Sequence, residues 1–520
     1  MPERSASYLL TVDFGTESAR AAIFDAQGKA VATSDCTYAT YYPHGGWAEQ
    51  EPVEWRKAFI EVVRNVVSAS RVSPSHIRTI AVDTTCSTLC FLDEKFDPIC
   101  RSILWMDVRS SGQARKIASS KHEALKYNGS GQVPADWMPS KILWVKENRP
   151  EIYRNAVHIC EFIDWVNYLL TRKYVASINN VTARWYYDNS NGGWPAEFYE
   201  TVGIGDLLDK VPSKVLRVGE IVGGIDPTLA DEMGLSARTI VVQGGSDAYI
   251  GTLGLGVVHE GDVALITGSS HLLLGLTRND VHSPSISGSF PDAVIPGLRI
   301  MEGSQISTGS VLKWFSNSFI NGDITREAKR KGVSLYEYLD SKMADITIGS
   351  EGIIVLDHWQ GNRNPYSDPL SRGVIWGLSL NHSPFHVYHA IMEGIAYGTK
   401  IILDGFQTNG LMCERLMAGG GITRSKVWMQ IHSDVLGLPI HINEVSNVAL
   451  LGCAVLSARA IGLYPSIEAA SRAMVRCETV IEPDLKKTAE YSYYVEKYAA
   501  TYSRMADLMN DMASRRSLGE

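Results

Sequence analysis

No stretch of this 520-residue sequence is long and apolar enough to cross a bilayer. Its opening residues, Met1-Pro-Glu-Arg-Ser-Ala-Ser7, lack the charged-then-apolar order of a secretion signal. Cysteine is sparse: eight residues, at 36, 86, 90, 100, 160, 413, 453 and 477, with no Cys-x-x-Cys pair. Cys86 and Cys90 lie in an apolar run without neighbouring histidines. That spacing speaks against zinc frameworks and disulfide scaffolds, so the cysteines read as buried thiols in a reducing cytoplasm. Excess positive charge is missing too: 49 Lys and Arg against 57 Asp and Glu give a formal charge of −8. Nucleic acid and anionic membranes are therefore poor partners, although a local basic pocket for an anionic ligand stays possible.

What is present is the composition of a soluble globular chain, 45% hydrophobic and 20% charged. At this length two or more domains are expected, because single cores stop growing near roughly 250–300 residues. Strand-like runs alternate with amphipathic helices, which predicts α/β architecture. The first half reads as a hairpin over Tyr8–Ser34, a helix over Pro52–Ser70, and strand-like runs at Ile77–Thr84, Thr88–Leu92 and Ile103–Asp107. Helices follow from about Ser110, over Ser140–Glu147 and over Phe162–Leu170, then a strand at Thr239–Gln243. The second half restarts this grammar with Asp262–Thr267, a Gly-Ser-Ser turn and His271–Leu276. Two similar domains facing each other across a cleft are expected, divided as 1–257 and 258–520. The last residues, Ser514–Glu520, read as a solvated tail.

Chemistry concentrates in a few turns. Asp13-Phe-Gly-Thr-Glu-Ser-Ala-Arg20 is either an ordinary polar hairpin tip or an anion-binding turn. In the second reading Gly15 admits an anion close to backbone N–H groups, Thr16 and Ser18 offer hydroxyls, Arg20 a cation, and Asp13 a ligand for Mg2+. Thr267-Gly268-Ser269-Ser270 repeats that turn chemistry. Gly244-Gly-Ser-Asp247 places an aspartate at the start of a small-residue helix, as a helix cap or as a base for a hydroxyl proton. Met417-Ala-Gly-Gly-Gly-Ile-Thr-Arg-Ser425 offers bare backbone to a flat base, and matches neither a Rossmann fingerprint nor a Walker A loop. Glu444–Ala454 ends in a small-residue helix suited to close packing against a nucleotide-binding wall.

The ordered set Asp13-Phe-Gly-Thr16, Gly46-Trp-Ala-Glu-Gln-Glu-Pro52, Trp105-Met-Asp-Val-Arg109, Gly245-Ser-Asp247, Thr267-Gly-Ser269, Gly419-Gly-Gly421 and Gly452-Cys-Ala454 resembles the FGGY family of carbohydrate kinases, from residue 8 to about 475. The resemblance implies two ribonuclease-H-like domains of the actin/hexokinase type, with ATP, Mg2+ and a sugar in the cleft, and a homodimer as a family-level expectation. It implies Asp247 as catalytic base and Asp13 as metal-organising residue. Thr16, Ser18 and Arg20 fall in the first phosphate turn, Gly268 and Ser269 in the second, and Gly420, Gly421 and Ser425 in the adenosine loop. Phosphoryl transfer asks for little covalent help, so two phosphate clamps, a metal and one base suffice.

Asp83-Thr-Thr-Cys-Ser-Thr-Leu89 resembles the D-ribulokinase branch more than the xylulose or glycerol kinases. Thr85, Ser87, Asp107, Arg109 and Asp247 are the expected partners of the sugar hydroxyls, each equally readable as a satisfied polar residue beneath the cleft, Asp247 apart. Ser246, Tyr249 and His271 depart from the branch pattern, so polyols such as erythritol, ribitol or xylitol, xylulose, and a signal-sugar analogue stay open. A nucleotide-binding sensor without turnover and an actin-type ATP hydrolase are the alternatives from other classes.

Overall fold

The computed structural model describes residues 7–517 apart from Ser130, Glu444 and Ser446. Residues 1–6, the end of the predicted tail at 518–520, and Glu444 and Ser446 of the Glu444–Ala454 motif lie outside the described residues.

Two sheets carry the architecture. The first has six strands in the order Ile221–Gly224, Ile240–Val242, Ile77–Thr84, Tyr8–Phe14, Ser18–Phe24, Ala30–Thr37. The second has seven, in the order Ser287–Pro291, Arg299–Gln305, His271–Thr277, Asp262–Thr267, Arg415–Gly420, Ile440–Asn443, Cys477–Ile481. In both, a hairpin's first strand pairs antiparallel with its second and parallel with a later strand. Tyr8–Phe14 does so with Ser18–Phe24 and Ile77–Thr84, and Asp262–Thr267 with His271–Thr277 and Arg415–Gly420. The repeated grammar of the sequence is thus a repeated topology, two ribonuclease-H-like sheets in one α/β chain.

Register sets the site. Parallel pairing puts Asp13 beside Asp83, and Thr267 beside Gly420, so each hairpin turn opens at the same end as the loop after the neighbouring parallel strand. Pro52 starts the helix Pro52–Ser70 without needing an N–H partner, and Trp55, Ala58, Phe59, Val62, Val63 and Val66 form its buried stripe. The strand-like run at Ile103–Asp107 pairs only over Ser102–Ile103. The chain then turns, because the Asp107 carboxylate accepts from the backbone N–H groups of Ala48 at 2.7 Å and Arg109 at 2.9 Å.

Between the sheets two small-residue helices, Asp247–Leu255 and Val448–Ala460, pack backbone against backbone. A Cβ on Gly254 would lie 1.9 Å from the Val448 carbonyl, and one on Gly452 2.0 Å from that of Ile250. Val448–Ala460 belongs by chain order to the second half but packs on the first sheet, where Leu450, Leu451 and Ala454 share a core with Leu9, Ala22 and Ala81.

Candidate active site

A cavity of about 1210 Å³ lies between the halves, with Asp13, Arg20, Asp247, Gly420, Gly421 and Asn447 among its wall residues. That is ample for a nucleotide-sized ligand. Both sheets and both central helices supply it, so residues more than 400 positions apart in sequence meet at one surface.

Two carboxylates, Asp13 and Asp247, line it, and a third, Asp83, is buried behind them in the strand next to Asp13. Asp13 is buried and accepts on Oδ2 from Arg20 at 3.3 Å and from the Asn447 amide at 3.0 Å. Asp83, fully buried beside it, accepts from the Cys453 thiol at 3.3 Å on Oδ2, while its Oδ1 has no protein partner. Burial first, and the Asp13 charge second, drive the Asp83 carboxyl well above the usual carboxylate range. The same two causes push Asp247 up to about 7, against the pull of the Ala248 N–H, Ser246 and Arg20. The helix cap residue is Ser246, not Asp247. Apart from the Ala248 N–H at 2.7 Å and a 3.4 Å contact from Ser246, the Asp247 carboxylate faces the cavity. A half-buried carboxylate poised near neutrality suits a general base.

The remaining nucleotide-side candidates divide. Gly420 has φ of +102°, and a Cβ there would lie 1.9 Å from the Thr267 carbonyl; Gly421 faces open space in the cavity. Gly268 and the exposed Ser269 form the second turn, braced from behind by Thr308 N–H on the Ser269 carbonyl and Gly309 N–H on that of Gly268. Thr16 accepts from the Trp105 indole N–H at 3.1 Å, and Ser18 is a buried strand residue whose carbonyl takes the Gly15 N–H at 3.0 Å. Neither lines the cavity. Ser425 caps the helix Lys426–Leu436 through the Trp428 N–H and donates to Asp340 at 2.7 Å.

On the sugar side, Thr85 shares a 2.9 Å hydrogen bond with Thr88, and the buried Ser87 hydroxyl has no protein partner. Ser87 holds a left-handed φ of +56°, and its carbonyl accepts from Lys141 at 2.6 Å. Lys141 is fully buried, and desolvation brings its amine down to about 8. Arg109 instead pairs with both Asp107 and Glu49, its guanidinium 3.8 Å over the Trp47 ring. They knit the Gly46–Pro52 motif to the Trp105–Arg109 motif and stand outside the cavity wall.

Sequence reasoning missed a buried polar group built on Tyr249, a residue of the helix that Asp247 begins. Arg184 pairs with Glu302 at 2.9 Å, and the Tyr249 hydroxyl donates to the same carboxylate at 2.7 Å. Burial opposes the Glu302 charge, but Arg184 and Tyr249 outweigh it and hold the carboxyl below its usual range. Cys86, pushed up to about 12 chiefly by burial, feels the charges of Arg184, Asp247 and Glu302 together. Nothing in the spacing links residues 86, 184 and 302; only the fold does. Asp83 was legible as part of a strand, but its pairing with Asp13 follows from register alone.

The N-terminal domain model of the FGGY family of carbohydrate kinases matches residues 8–254, and its C-terminal domain model matches residues 263–461. A protein named Ribulokinase 1 from Staphylococcus saprophyticus is 30% identical over 531 residues, covering 95% of this chain and 97% of the relative. A ribulokinase from Bacillus licheniformis is 29% identical over 501 residues, covering 91% and 90%. The crystal structure of a xylulose kinase from Rhodospirillum rubrum superposes with a TM-score of 0.86 at 24% identity, covering 96% of this chain and 99% of that one, which is a likeness of fold. With family domain models matching residues 8–254 and 263–461, the chain belongs to the FGGY family and is an ATP-dependent carbohydrate kinase.

Proposed function

We propose that this kinase transfers the γ-phosphoryl group of ATP to a hydroxyl of a pentulose such as ribulose, with Asp247 as the base. The observation that carries this reading is the position of Asp247, whose carboxylate faces the same cavity as Asp13, Arg20 and the Gly420–Gly421 backbone. A sugar hydroxyl seated against Asp247 would give up its proton to it as the phosphoryl group arrives. The ribulokinase names of the relatives, and the Asp83–Leu89 segment, support the pentulose choice over other sugars.

The residues present fit Mg2+. Asp13 offers a hard oxygen donor on the cavity wall, and the described residues contain no group of three or more metal-ligating side chains. Such an open site suits an ion that shares its coordination with nucleotide phosphates and water. When bound, Mg2+ supplies charge neutralisation at the phosphates. Arg20 and the glycine backbone orient the anionic ligand, Asp13 would hold the ion, Asp247 takes the proton, and the two halves exclude water between them.

A coupled ADP-release screen over D- and L-ribulose, D- and L-xylulose, ribitol, xylitol and erythritol tests the proposal. A ribulose is expected to give the largest kcat/KM, and ATP turnover is expected to require the acceptor. A polyol giving the largest value would reassign the substrate. ADP release without any acceptor would favour an ATP hydrolase, and none with any acceptor a sensor.

A further inference from the structure

Asn447 is the residue immediately before the helix Val448–Ala460, and both ends of its amide are engaged. Its Oδ1 accepts from the Leu450 N–H at 3.2 Å, capping the helix, and its Nδ2 donates to Asp13 Oδ2 at 3.0 Å. Turning the amide over would set oxygen against carboxylate and N–H against N–H, so the two contacts settle its orientation together. The other donor to Asp13 Oδ2, Arg20, is longer at 3.3 Å and its side chain is 51% exposed. The terminal torsion of an aspartate is broad, so its rotamer alone does not fix the plane of the carboxylate. A donor anchored to a helix N-terminus does. That helix is also the element of the second half that packs on the strands carrying Asp13 and Asp83.

We infer that Asn447 is a positioning residue for phosphoryl transfer: it orients the Asp13 carboxylate toward the metal–nucleotide and couples that orientation to the seating of the Val448–Ala460 helix. The inference rests on the reading of Asp13 as the carboxylate that organises the metal.

Two substitutions separate the two contacts. Serine is itself a good helix cap but is too short to span both partners, whereas alanine loses cap and donor alike. In Asn447→Ser the helix cap, and with it the Tm of the ligand-free protein, should stay as in the wild type. At saturating ATP and sugar its kcat should fall about 10–100-fold, the range of a misplaced reacting group. The Mg2+ concentration for half-maximal rate should rise, with the sugar KM unchanged. Calorimetric titration with ATP should show weaker binding in Mg2+ and wild-type binding in EDTA. Asn447→Ala should share these losses and lower the Tm as well. The inference is overturned if Asn447→Ser binds ATP in Mg2+ as the wild type does, or if only Asn447→Ala loses function, in step with its Tm. Should the wild-type protein phosphorylate no sugar, the substrate reading fails, while the calorimetric comparison still decides the role of Asn447.

Discussion

Burial and the Asp13 carboxylate push Asp247 up to about 7, whereas an aspartate in an unfolded chain titrates near ~3.9. In its proposed role as base Asp247 must be ionised to accept a proton, so kcat/KM should rise with pH through about 7 and level off above it. For stability the sign runs the other way. Between the two values the folded state holds a proton that the unfolded state has released, so the ligand-free protein loses stability as pH rises across that window. Asp247→Asn should lower kcat about 10²–10⁴-fold, the usual contribution of a general base. Its ATP KM should stay within about a factor of two, because the carboxylate acts on the acceptor and not on nucleotide binding. The same variant should melt higher than the wild type at pH 8, with a smaller difference at pH 5. A wild-type rate in Asp247→Asn would remove it as the base, and calorimetric scans at the two pH values check the stability half.

At the scale of elements, the two neighbouring glycines Gly420 and Gly421 should behave differently. Gly420 has a left-handed φ, and a Cβ there meets the Thr267 carbonyl of the adjoining strand at 1.9 Å. Gly420→Ala should therefore strain the strand end itself and lower the Tm without any ligand present. At Gly421 a Cβ meets nothing within 4 Å, yet the residue lines the cavity. Gly421→Ala should leave the ligand-free Tm unchanged and raise the ATP KM, as a methyl group fills space the nucleotide needs. Equal Tm losses in both variants would contradict this division. The glycine run was legible in the sequence as a loop admitting a flat ligand. The division of labour between its members was not, since it depends on which neighbour the strand brings close. Ser425 shows the same limit: its place in the motif suggested ATP contact, while its hydroxyl serves as a helix cap and a partner of Asp340.

At the scale of the whole molecule, buried charge and a transferred helix hold the halves together. Arg184 and Glu302 come from different halves and pair out of water. Removing one partner leaves a buried charge unpaired, so Arg184→Met should cost about 3–5 kcal/mol. The double variant Arg184→Met, Glu302→Leu should cost less than Arg184→Met alone, as urea denaturation can measure. The helix Val448–Ala460 covers the core of the first sheet around Leu9, Ala22 and Ala81. Residues 1–257 expressed alone should therefore expose that apolar face and fail to unfold cooperatively, even though one family domain model ends at residue 254. A sharp, reversible melting transition from that fragment would show that the first half is complete without the helix.

Local order was written in the sequence: the polar turns at Asp13–Arg20 and Thr267–Ser270, the glycine run, the helix over Pro52–Ser70 and the repeated strand–turn–strand grammar. Those features depend on backbone freedom and on periodic burial, which act between near neighbours. The Arg184–Glu302 pair beside Cys86, the Asp13–Asp83 contact and the hold of Asn447 on Asp13 were decided only by tertiary structure. Each joins residues distant in sequence through strand register or helix packing, and register is a property of the assembled sheet. The ionisation of Asp247 belongs to the same class, because its shift comes from burial and from Asp13, neither of which exists until the chain has folded.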